Sequence, residues 1–236
     1  MPETALPLSG RATAAIAFLG LTIVGAVLSL WADANQTELL GRIVEGERVR
    51  LAEAQDSDDR VGWTAIVYSV GFIPAIIAFL LWYSRAYRNV IALRITPRYG
   101  TRWAVWYWFI PIVSLFRPKQ VMNDIWRGSD PDPAAPKRLE DRRVSPLLHW
   151  WWALWLLSFW VGNFAFRAGF EDGDFVTDAA SLRDQSSAYA FVDGLDIIAG
   201  ILAILVVRKT TARIEALRQQ PQPELEGAPY APVHGT

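Results

Sequence analysis

Two aspartates, Asp193 and Asp196, interrupt the otherwise apolar stretch "AYAFVDGLDIIAGILAILVV" over 188–207. Three residues apart, they share one helix face. Ionisable groups inside so apolar a run are costly and mark ion or proton sites, so this pair is the candidate for carrying a proton or cation. The structural alternative is that they lie near the 188 end and are neutralised by water, Arg167 or Arg183. A second constellation is basic. Arg85, Arg88 and Asn89, in "WYSRAYRN", fall at i, i+3 and i+4 on one helix face. With Arg94, Arg98, Arg102 and Arg117 they could bracket anionic lipid headgroups, each basic group adding about 1 kcal/mol near such a surface. The competing reading is anchoring by positive charge alone.

Other chemistry is thinly provided for. The chain has no Cys, and its two His, 149 and 234, lack metal spacing. It contains no G-x-S-x-G, HExxH or phosphate-loop motif. No catalytic residue, metal site or cofactor is therefore expected, and the expectation is a protein that is not an enzyme. A net charge of −1 argues against a nucleic-acid partner.

These residues must be held by apolar elements. A bilayer core of about 30 Å takes about 20 apolar residues in a helix. Four runs meet that length: 12–32, 61–83, 147–166 and 188–207. The first resembles a signal peptide in having Ala32-Asp33-Ala34 after it, but its length favours a retained span. Residues 33–60 carry four basic and eight acidic groups, 84–146 twelve and five, and 168–187 one and five. Basic segments remain cytoplasmic. The expected protein is all-α: an integral membrane bundle of four transmembrane helices in the bacterial cytoplasmic membrane. The N-terminus (1–11) and the tail (208–236) are cytoplasmic, the tail being disordered from about 219.

A fifth apolar stretch, "WAVWYWFIPIVSLF" over 103–116, is too short to cross and ends at Arg117. A crossing would put one basic flank on the wrong side, so 103–126 is expected to dip in and return, or to lie at the interface. Pro111 removes a backbone donor and bends it. Arg117 at the mouth is expected to meet the carbonyls freed by Pro111 and Pro118. Pro118 then suits a helix start. Val121, Met122, Ile125 and Trp126 form an apolar face fit for the membrane plane or for other protein. Residues 36–55 predict an external helix. "HWWW" at 149–152 suits the headgroup level, with Trp155 deeper, against the dip. Gly20 and Gly25, and Gly194 and Gly200, offer weak signals of close helix contact.

Two blocks carry a resemblance. Arg85-Ala86-Tyr87-Arg88-Asn89 ends one span. Trp108, Phe109, Pro111, Phe116, Arg117, Pro118, Met122 and Trp126 then follow in order. Together with the hydropathy over about 60–210, they resemble the bacterial family called domain of unknown function 4328. The resemblance implies a multi-span membrane protein and no assigned activity. From the residues themselves, and not from the resemblance, the expected partners are membrane lipids, which could be anionic, and an unidentified membrane protein. The residues for those contacts are Arg85, Arg88, Asn89, Trp108, Pro111, Arg117, Pro118 and Trp126.

Overall fold

The computed structural model describes residues 5–93, 95–132, 134–136, 138–171, 174–175 and 178–220. It is a row of long helices: α1 (Ser9–Val44), α2 (Leu51–Leu93), α5 (Pro146–Ala168) and α6 (Ala179–Gln219). Between α2 and α5 lie the short α3 (Thr101–Trp106), a 3₁₀ turn (Val113–Leu115), α4 (Arg117–Gly128) and a second 3₁₀ turn (Leu139–Asp141). Two-residue strands β1 (Phe170–Glu171) and β2 (Asp174–Phe175) pair antiparallel in the connection to α6. Capping sets the later starts. Ser145 accepts from the Leu147 N–H with Pro146 following, and Asp178 accepts from Ser181 N–H at 2.9 Å.

The row runs α2, α1, α6, α5. Glycine fixes the α1–α2 distance. A Cβ at Gly25 would stand 2.7 Å from the Tyr68 Cα, and one at Gly71 would stand 2.9 Å from the Thr22 N. Gly200 likewise lies against Ile23 of α1. Gly20 and Gly194, by contrast, face open space. On the other side α5 follows α6 antiparallel: Ser158 meets Asp196, Gly162 faces Val192, and Gly169 faces Gln185. α2 and α5 hold the two outer positions and meet through Phe79 and Trp151, 5.8 Å between ring centroids, with a gap beside that contact. The 101–116 segment enters that gap.

Three helices, α1, α2 and α6, are long and apolar enough to cross a membrane, which corrects the expectation of four. The exception is α5. It carries five Trp, whose indole N–H makes them amphipathic, together with His149, Ser158, Asn163 and Arg167. Large apolar side chains face outward along α2, among them Val70, Ile73, Ile77 and Leu81. Such a continuous apolar exterior and these lengths suggest a membrane location.

Other expectations also shift. The helix expected at 36–55 is two helix ends: α1 continues through Ala32 to Val44, and α2 begins at Leu51. Gly46, at φ +86°, makes the turn between them. Arg42 braces that turn, 2.9 Å from Glu47 and 2.6 Å from Glu53. At the other end α6 is helical through Gln219, so the stretch from 208 begins as helix; the disorder expected beyond it lies at 221–236, outside the described residues.

Replacing Gly25 or Gly71 with Val should destabilise the protein by about 1–3 kcal/mol, the usual cost of overpacking. Gly20→Ala should be neutral. The thermal midpoint of the detergent-purified variants checks this, and unaltered midpoints for Gly25→Val and Gly71→Val would refute the backbone contact.

Candidate functional site

The sequence candidates separate into two places, one at each end of the helical row. At the first end the dip reverses direction. α3 stops after Trp106, the chain turns through Pro111, and Ile112 takes φ +67° before the 3₁₀ turn. Positive φ at a β-branched residue is strained and holds only where the surroundings impose it. Here an anchor is present. Trp108 lies edge-on to Phe79 (5.8 Å), Tyr83 (5.7 Å), Trp152 (5.8 Å) and Trp155 (5.6 Å), bridging α2 and α5. Trp155 thus meets the dip as expected. Phe109, Pro111, Ile112 and Phe116 point outward.

α4 then packs onto protein through the apolar face read from sequence: Val121, Met122 and Ile125 are fully buried. The Tyr83 hydroxyl donates to the Pro118 carbonyl at 3.0 Å. Arg213 of α6 stacks on Trp126 at 4.4 Å, donates to its carbonyl at 3.2 Å and pairs with Asp130 at 3.3 Å. Pro118 and Trp126 are therefore fixing points of the fold.

Arg117 departs from expectation. It donates to the Tyr99 hydroxyl at 2.6 Å and to Gln120 Oε1 at 3.1 Å, with its guanidinium 5.0 Å from the Tyr99 ring. The Ile110 and Pro111 carbonyls accept instead from Ser114 and Val113 N–H, because the turn closes on itself. Tyr99 is in turn held by Tyr87, whose hydroxyl donates to the Tyr99 carbonyl and accepts from its N–H.

Asn89 is also structural. Its amide donates to the Leu6 carbonyl at 2.8 Å, and its oxygen accepts from Leu6 N–H at 3.1 Å. Glu215 accepts from Leu8 N–H at 2.7 Å, and Arg218, paired with Glu215, donates to the Ala5 carbonyl. Residues 5–8 are thereby clasped between α2 and α6.

Arg85 and Arg88 remain. Arg11 of α1, not singled out from sequence, joins them: it donates to the Leu81 carbonyl at 2.8 Å and lies close enough for both charges to act on it. Among the described residues none of the three pairs with a carboxylate. Nε of Arg85 and of Arg88 is buried without a partner, and Arg88 otherwise donates to Ser84 at 3.1 Å. The sequence signal for Arg11 was its place just before the first apolar run. Arg94 lies outside the described residues, and Arg98 and Arg102 are exposed.

At the second end, Asp196 accepts from Tyr68 of α2 at 2.8 Å and from Ser158 of α5. Pairing with Arg167 or Arg183 does not occur; Arg183 stands 3.5 Å from Asp184 instead. Hydroxyls from the packed helices reach the carboxylate first. Asp193 faces Asp33 of α1. A cavity of about 280 Å³ reaches from Asp196 and Tyr68 to Trp108 and Phe109 along the gap between α2 and α5, with an otherwise apolar lining broken by Thr22. Among the described residues no group of His, Cys, Asp and Glu is arranged to hold a metal.

Lys119, on α4, is nearly buried and donates to Asn123. Burial first, and Arg127 second, push its ammonium down to about 8. The unfolded chain therefore binds the extra proton between about 8 and the ordinary lysine value, so stability should rise with pH through that window. Carbon-13 NMR of reductively methylated protein should show Lys119 titrating near the lower limit, moved only slightly by Arg127→Gln; an ordinary lysine titration would contradict the burial.

No curated protein and no solved structure matches the chain. The sequence model of the domain of unknown function (DUF4328) matches residues 45–212, from the turn after α1 to within α6. Both blocks that carried the resemblance fall inside the match, and the chain belongs to the domain of unknown function 4328 family.

Proposed function

We propose that the protein is a non-enzymatic, multi-pass protein of the bacterial cytoplasmic membrane that binds anionic lipid headgroups at its basic, cytoplasmic end. The observation that carries this reading is the gathering of Arg11, Arg85 and Arg88 without a carboxylate partner among the described residues. Like charges brought together repel unless an anion joins them. A guanidinium suits a phosphate, which it meets through two parallel donors. The position favours a lipid. Arg11 bonds the carbonyl of Leu81, whose side chain is exposed beside Ile77 on the apolar exterior, so the charges stand directly above a surface fit for acyl chains. Residues 5–8 and 215–218 lie together here, bonded through Leu8 and Glu215 and through Arg218 and Ala5, in keeping with a common cytoplasmic side.

Each of the three arginines is expected to contribute about 1 kcal/mol near an anionic surface, so the triple change to Gln should weaken retention by roughly two orders of magnitude. Native mass spectrometry after purification with phosphatidylglycerol reads this directly. Arg117→Gln, by contrast, should leave the lipid in place, because its guanidinium is stacked on Tyr99 and its Nη1 donates to Tyr99 and Gln120. Equal retention by the wild type and the Arg11, Arg85, Arg88 variant would end the proposal.

A further inference from the structure

We propose that Asp33 and Asp193 form a proton-binding site, one proton being held between the two carboxyl groups inside the helical row. Three observations carry it. First, Asp33 of α1 and Asp193 of α6 are 7% and 9% exposed, and their side chains lie within hydrogen-bonding reach of each other. Second, Asp193 Oδ2 is buried and has no donor. A buried carboxylate oxygen left without a donor is costly, and two facing carboxylates cannot both stay ionised. A proton on one oxygen supplies the missing donor and removes one charge. Third, among the described residues no other group supplies it. From α2 the facing group is the Tyr68 hydroxyl, given to Asp196; from α5 it is Ser158, also given to Asp196. On α6 the remaining titratable neighbour is Tyr189, which stands near Asp33. Arg60 is stacked on Trp31 at 5.2 Å, Arg183 is beside Asp184, and neither pairs with these carboxylates.

The ligand is a proton, not a metal cation. A cation needs several oxygens around it, whereas both oxygens of Asp196 are occupied by hydroxyl donors and no metal-holding group is present among the described residues. The site is independent of the arginine cluster. It lies about 33 Å along α6 from Glu215, taking 1.5 Å per residue.

Infrared difference spectroscopy of the full chain in liposomes tests this. The wild type should show the C=O stretch of a protonated carboxylic acid at pH 7.5, where exposed carboxylates are ionised, and it should downshift in D₂O. Asp33→Asn and Asp193→Asn, both close in shape, should each remove or displace that band. Asp58→Asn, at an exposed carboxylate that bonds Gln36, should not alter it. Absence of the band in the wild type needs no variant to interpret and would overturn the proposal. So would a band unaltered in folded Asp33→Asn and Asp193→Asn protein, or one abolished by sodium at constant pH.

Discussion

The architecture depends on α1 being held backbone-to-backbone against α2. Where Gly25 and Gly71 lie, no side chain separates the two helices. Packing of this kind takes the place of the hydrophobic driving force, which is weak where the surroundings are as apolar as the side chains. With α1 also against α6, and α6 against α5, the helices form a row and not a ring. The two outer helices, α2 and α5, meet where Phe79 touches Trp151, and the space beside that contact must be filled. The dip fills it. Trp108 is large enough to touch both walls, and its position determines where the chain turns and where α4 comes to rest.

The same constraint explains how polar groups are treated. A backbone that leaves helical geometry in an apolar setting must find partners within the protein. The turn at 110–116 bonds to itself, and the Pro118 carbonyl takes the buried Tyr83 hydroxyl. Trp82 Nε1 likewise donates to Thr211 at 2.9 Å across α2 and α6. One end gathers guanidiniums, three of them without a carboxylate partner among the described residues; the other holds Asp33, Asp193 and Asp196, of which Asp196 is served by two hydroxyls.

Much of this was readable in the sequence because it rests on local pattern. The apolar runs gave the long helices, Pro111 gave a break in the helix before α4, and the spacing from Val121 to Trp126 gave the buried face of α4. What escaped depends on partners distant in the chain. Arg117 resembled a headgroup ligand, since nothing local reveals Tyr99 beneath it. Asn89 resembled a companion of Arg85 and Arg88, although its helix face turns it to Leu6. Asp33 was read as part of a cleavage pattern; its proximity to Asp193 requires knowing that α1 and α6 are neighbours. The count of apolar helices erred over α5, whose tryptophans are bulky without being purely apolar.

The clasp on residues 5–8 bears on how the protein is made. The earliest described residues bond to Asn89, Glu215 and Arg218. Residues 5–8 therefore cannot take up all their bonds until Glu215 and Arg218 have been made. Until then α1 has its α2 face covered but lacks α6, and the amino-terminal stretch has only half of its mooring. In the order of synthesis, the second half of that mooring arrives only with the last turns of α6.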